Sequence, residues 1–158
     1  MKYGHSTLAG LAALALLGVA GCATAPATYD VKNSEVIPAS QDVVWERIVG
    51  FFATNNLSIK TIEKASGIIA AERIVGSPAV GGKILGWADC GANALATARS
   101  QSIDLNVFVR PQAAGTSVTV NTHFTEGRYN ALTEAPETVS CNSTGALESA
   151  ILAVAAGS

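Results

Sequence analysis

No cluster of lysine and arginine interrupts this sequence, no Cys-x-x-Cys pair occurs, and only two histidines are present. The basic residues stand singly, so nothing supports nucleic-acid binding. With one histidine outside the N-terminal segment and no paired thiol motif, neither a metal site nor a cofactor is expected. Charged residues make up 14% and aromatics 6% of the chain. That is lean, yet it fits a packed globular domain better than a disordered one. The longest apolar run, Leu8 to Ala20, has thirteen residues. A bilayer-spanning helix needs about twenty, and Pro26 follows soon after, so a transmembrane anchor is the weaker reading.

What is present at that end reads as an export signal. Met1 to Thr7 carries one lysine and no acid, Leu8 to Ala20 is uniformly apolar, and Val19-Ala20-Gly21-Cys22 closes the segment with small residues. The tetrapeptide resembles the lipobox of bacterial lipoproteins. The resemblance implies cleavage before Cys22 and attachment of acyl chains to its sulfur and its new amino group. One acyl chain binds a membrane only marginally, whereas several hold it firmly. Ala23, rather than an aspartate, follows the cysteine, which in that family points to the outer membrane. An ordinary secretory signal with an incidental Cys22 is the alternative.

Removing residues 1–21 leaves 137, enough for one domain, with nine basic and twelve acidic side chains. Cys90 and Cys141 then form one pair in an exported chain, where thiols usually oxidise. A bridge between them would close a loop of about fifty residues, worth roughly 4 kcal/mol by the chain-entropy estimate. Two free buried thiols are the alternative.

Residues 22–35 read as the lipidated cysteine and a flexible tether, with a single α+β domain over 36–158. Val31 to Ile37 predicts a first strand stopped by Pro38. Ser40 and Asp42 then suit a helix start, and Val44, Ile48, Phe51 and Phe52 recur at helical spacing up to Asn55-Asn56. Leu57 to Glu63 and Ile68 to Ile74 predict a hairpin turning at Ser66-Gly67. Gly76 to Ala98 reads as a long irregular stretch. Arg99 to Arg110 alternates sharply, with Ile103, Leu105, Val107 and Val109 on one side and Phe108 among the polar residues on the other. Pro111 to Gly115 predicts a turn, Val118 to Phe124 a further strand, and the residues after Thr125 a polar loop through Glu137. Asn142 to Gly145 offers oxygens for the start of a last helix striped by Leu147, Ile151 and Val154, with Glu148 near its positive end. The order strand-helix-four strands-helix predicts an α+β fold, an antiparallel sheet of about five strands with two helices packed on one face.

Several of these elements carry a resemblance. They are Ile37-Pro38-Ala39-Ser40 leading into Val44-Trp45, the turn at Ser66-Gly67-Ile68-Ile69, Asp89-Cys90-Gly91, and Cys141-Asn142-Ser143-Thr144-Gly145-Ala146-Leu147-Glu148. Together they resemble a group of small bacterial outer-membrane lipoproteins with a helix-grip domain, similar in layout to the repeated domain of the assembly lipoprotein BamC. The resemblance implies a non-catalytic accessory domain.

Candidate chemistry is sparse. His123 is expected on the wet sheet face near Asp104 and Asn106, without a nucleophile in an activating context, and reads as a surface residue. Gly76 to Lys83 lacks the glycine spacing of a phosphate loop, and Ile84 stands where magnesium would need a hydroxyl. Glu134 and Glu137 flank Pro136 in a polar loop without aromatic walls for a sugar. Trp45 reads as core. Trp87 and Phe108 are candidate partner contacts, Trp87 equally readable as packing over the disulfide.

The expected function is a lipid-anchored, non-enzymatic protein-interaction or envelope-assembly module facing the periplasm, bound to the membrane and to an unidentified envelope protein. The alternatives are a carrier gripping a small apolar ligand between helix and sheet, a periplasmic enzyme inhibitor, and, more weakly, a hydrolase.

Overall fold

The computed structural model of the protein describes residues 23–76 and 86–158. Cys22 and the glycine-rich residues 77–85 lie outside the described residues.

The fold is α+β, with two helices against a mostly antiparallel sheet. In chain order the elements are β1 (Ala23–Thr24), β2 (Ser34–Ile37), α1 (Gln41–Thr54), β3 (Ser58–Glu63), β4 (Ile68–Val75), β5 (Ala88–Asp89), β6 (Ala92–Asn93), β7 (Ala96–Gln112), β8 (Gly115–Asn130), β9 (Ala135–Ser143) and α2 (Ala146–Ala156). The main sheet runs β3-β4-β7-β8-β9-β5, with β2 also paired to β8, while β1 and β6 form a separate two-stranded piece. Seven strands therefore replace the expected five.

The additions arise where the sequence is polar. β7 begins at Ala96, inside the stretch read as irregular, and β8 continues to Asn130. Residues 135–143, of which 135–137 are expected in a loop and 142–143 at the start of the last helix, form β9, with Phe124 opposite Cys141 and Asn130 opposite Ala135. No residue of β9 is fully buried, and its half-buried row interleaves Ala135, Val139 and Cys141 with Glu137 and Ser143, so its apolar signal is weak. Backbone pairing with β8 along most of its length and with β5 at Asn142 and Ser143 defines it.

The periodic segments fold as their spacing requires. α1 buries Val44, Trp45, Ile48 and Phe52. It ends where the backbone N–H and the side-chain amide of Asn55 both donate to the Phe51 carbonyl, and Asn56 takes a left-handed φ of 53°. Ser40 occupies the N-cap position but makes no side-chain cap bond. α2 starts after Ser143 and Thr144, whose hydroxyls accept from the Gly145 and Ala146 N–H groups. Its buried stripe is Leu147, Glu148, Ile151, Leu152 and Ala155, with Val154 left half-buried.

Both helices cover one sheet face, against Ile69, Ala71, Ile103, Leu105, Val107, Val109, Val118, Val120 and Phe124. A bulge in β3 between Ile59 and Thr61 keeps this pattern in register. Ile59 faces Ala71 and Ile62 faces Ile69 across the bulge; Ile59 packs against the core, while Ile62 stays 46% exposed at the sheet edge. Gly67 turns the β3–β4 hairpin at φ +68°, and a Cβ there would lie 2.2 Å from the Val109 carbonyl oxygen.

Candidate functional site

Four places concentrate polar chemistry, and none is a catalytic constellation of the kind weighed from the sequence.

The first is the segment expected to be a tether. It lies along the body instead of hanging free. Ala23 and Thr24 pair with Asn93 and Ala92. The Ala27 N–H and the Tyr29 hydroxyl both donate to one Asp89 carboxylate oxygen, at 3.1 and 3.0 Å, and the other oxygen accepts from the Gly91 N–H at 2.8 Å. Asn142 donates to the Ala27 carbonyl at 2.9 Å. These bonds hold the Asp89 carboxyl below its ordinary pKa, the Gly91 N–H contributing most, then Ala27, then Tyr29. Reciprocally, the bond to Asp89 raises the Tyr29 phenol. Gly91 is tight against this segment, since a Cβ there would meet the Thr24 carbonyl oxygen at 2.2 Å. Asp89 thus acts as a clasp for residues 27–29, a role with no sequence signature.

The second place is the disulfide between Cys90 and Cys141, with a sequence separation of 51. Beside it lies a buried network that sequence reasoning missed. Arg128 and Glu126 sit on the core side of β8 with side chains 9% and 8% exposed. Arg128 Nε donates to Glu126 at 2.6 Å, and its NH2 group donates to the Cys90 and Gly91 carbonyls at 2.6 and 3.2 Å. Gln101 donates to the second Glu126 oxygen at 2.7 Å. Among the described residues every fully buried side-chain nitrogen or oxygen has a hydrogen-bond partner. The arrangement fixes the 86–95 segment over one end of the sheet, as the disulfide does from β9.

Trp87 belongs to that segment, and of its two readings from the sequence the structure has the packing one. It is 7% exposed within the core cluster, and its carbonyl accepts from the Thr144 N–H. It packs rather than presenting a contact surface. Trp45, 4% exposed, is core as expected.

The third place is the sheet face away from the helices. Phe108 is half-buried there, with the Arg110 guanidinium 5.3 Å from its ring centroid. A shallow cleft of about 430 Å³ is lined by Phe108, Arg110, Gln112, Ser117, Thr119 and Asn121. His123 lies opposite Asp104 in the β7–β8 ladder, and both are exposed. They stand on an open sheet face, as the alternation predicts. Glu134 sits in the β8–β9 turn at φ 53°, whereas Glu137 is in β9 opposite Arg128. The structure does not bring the two acids into a cleft.

The fourth place is a notch in the sheet. β2 pairs with β8 only over residues 116–119 and β9 only over 124–130, leaving a gap between them on that edge. A cleft of about 430 Å³ opens there, bordered by Tyr29, Asn33, Asn121, Thr122 and Asn142. At its base the Glu148 carboxylate, 2% exposed, accepts from the Thr122 hydroxyl at 2.5 Å and the Ser143 hydroxyl at 2.9 Å. Glu148 links β8 to β9 by side chain just beyond Phe124 and Cys141, where their pairing stops, and it sits in the first turn of α2 where the helix dipole favours a negative charge.

Among the described residues no group of three His, Cys, Asp or Glu is placed to hold a metal ion. None of the described helices is long and apolar enough to cross a membrane. No protein-family model matches the sequence, and a search of curated proteins returns no significant match.

Proposed function

We propose that this chain is a lipid-anchored accessory lipoprotein of the bacterial envelope, in the outer membrane and facing the periplasm. In this reading it is a non-enzymatic interaction module that engages an envelope protein, built on a BamC-like layout. The observation that carries the reading is the clasp on residues 23–29. The chain that directly follows the lipobox-like Val19–Cys22 is tied to the body by Asp89, Asn142 and β6. An anchor attached there would hold the whole domain close to the lipid. The Cys90–Cys141 bridge supports an oxidising compartment.

The interaction reading is preferred over an apolar-ligand carrier because side chains fill the space between helices and sheet. Val44, Ile48, Phe52, Leu147 and Ile151 are each 0% exposed against the β7 and β8 valines and isoleucine. The partner surface is the outer sheet face around Phe108 and Arg110. Ser replacing Cys22 will move the protein from the membrane to the soluble fraction, and unchanged fractionation refutes the anchor. Crosslinking in intact cells will capture an envelope protein with the native chain and lose it with Phe108→Asp. Capture that survives this substitution removes the outer face from the proposal.

A further inference from the structure

A second exposed surface lies at the opposite end of the long hairpin from its Ala113–Ala114 turn. The loop between β6 and β7 and the loop between β8 and β9 meet there, because the Ala131 N–H donates to the Leu95 carbonyl at 2.8 Å. Each loop is folded by an asparagine. The Asn93 side-chain oxygen accepts from the Leu95 N–H, and the Asn130 side-chain oxygen accepts from the Leu132 and Thr133 N–H groups. Each turn leaves a leucine in the open, Leu95 at 45% and Leu132 at 74% exposure. Tyr129 adjoins them at 37% exposure, with the Arg99 guanidinium 5.8 Å from its ring centroid. Two exposed leucines on adjoining loops, with the Tyr129–Arg99 pair at the neighbouring strand ends, give this tip apolar side chains with an amphipathic margin.

The described chain ends beside this tip. β1 runs antiparallel to β6, with Thr24 against Ala92 and Ala23 against Asn93. Followed toward its N-terminus, the chain therefore advances toward Ala94 and Leu95. From strand spacing and rise, Ala23 lies on the order of 10 Å from Leu95. The lipobox-like cysteine is one peptide bond from Ala23, about 3.8 Å between Cα atoms.

We propose that the Leu95–Leu132 tip is a membrane-contact surface that inserts beside the lipid anchor and sets the domain upright on the bilayer. The inference rests on the lipid-anchor reading and adds an orientation to it. The occupant is the bilayer because the chain that would carry acyl groups ends at this patch, and an anchored chain held this close cannot keep the tip away from the surface. The same geometry sends the hairpin turn outward. Its strands of 17 and 16 residues reach on the order of 50 Å, so the turn at Ala113–Ala114 stands clear of the lipid.

The test uses the full, processed chain in phosphatidylcholine vesicles with or without brominated acyl chains, which quench tryptophan at the headgroup–acyl boundary. The native Trp45 and Trp87 are 4% and 7% exposed and supply a constant background. Leu132→Trp and Leu95→Trp are each expected to lose about half of the added emission on bromination, while Ala114→Trp is unchanged, since interfacial groups sit roughly 5–10 Å into that boundary. Two probes guard against one variant folding poorly. Equal quenching at all three positions, or none at 95 and 132, overturns the proposal, including the case in which a protein covers the tip instead. Intact mass of the same preparation separates the two readings. Acyl mass on Cys22 without quenching at the tip sinks the orientation alone, whereas absence of acyl mass sinks the anchor and the orientation with it.

Discussion

Replacing Arg128 with alanine is the most demanding test of how the 86–95 segment is held. In the native chain Arg128 neutralises Glu126 and donates to two backbone carbonyls, while Gln101 supplies the second Glu126 oxygen. Both charged side chains are at least nine-tenths buried. Removing the arginine strands a carboxylate with one neutral donor and leaves the Cys90 and Gly91 carbonyls without theirs. Breaking a buried pair in this way costs about 3–5 kcal/mol. For a domain of this size, with a urea m-value of about 2 kcal/mol/M, the unfolding midpoint is expected to fall by about 2 M, read by circular dichroism with the disulfide intact. Replacing both partners by apolar residues of similar volume, Glu126→Leu with Arg128→Met, removes the stranded charge and should restore at least half of that loss. A midpoint shift below about 0.5 M for Arg128→Ala, or a double variant weaker than the single one, refutes the argument that burial makes this pair consequential.

Other outcomes follow from the remaining contacts. Substituting serine at both Cys90 and Cys141 is expected to cost about 4 kcal/mol for a separation of 51 residues, measured by urea unfolding. Ala in place of Glu148 should cost about 2–3 kcal/mol, and Thr122→Val should become nearly neutral in that background if the two share one interaction, which a double-mutant cycle reads directly. The Asp89 clasp is pH-dependent in a definite sense. Its carboxyl is depressed in the folded chain, so its contribution is present above the unfolded value of about 3.9 and is lost as pH falls through the lower folded value. Tyr29 is raised, so its contribution is present below about pH 10 and is lost as pH rises through the higher folded value. The protection of the Ala27 amide, its exchange rate relative to an unstructured amide at the same pH, should therefore fall in acid, and Asp89→Asn or Gly91→Ala should lower it at neutral pH; unchanged protection in both variants removes the clasp. Gly67→Ala places a methyl against the Val109 carbonyl at a left-handed φ and should destabilise by about 2 kcal/mol or more in thermal melts.

The amino-acid sequence determined those parts of the protein whose burial follows a period. Alternation in Arg99 to Arg110 set the inward row Ile103, Leu105, Val107 and Val109, and it placed Phe108 and Asp104 on the opposite face, as found. Helical spacing set α1, and the count of cysteines, read with the export signal expected at the N-terminus, anticipated the bridge. Residues 125–143 escaped because Glu126 and Arg128 point into the core as a neutralised pair, so both faces of the strand read as polar. The inner row of β9, Ala135, Glu137, Val139, Cys141 and Ser143, mixes apolar with polar and is only half-buried, and the strand is held by its pairing with β8 and β5. Trp87 was undecided because its burial depends on where a non-periodic segment lands. That landing is set by Cys141, Arg128 and Thr144, contacts at separations of 38 to 58 residues or more. The clasp at Asp89, the bridging carboxylate of Glu148 and the bond from Ala131 to Leu95 share this origin. Each joins residues that local chain preference does not relate, and only the folded backbone brings them within hydrogen-bond distance.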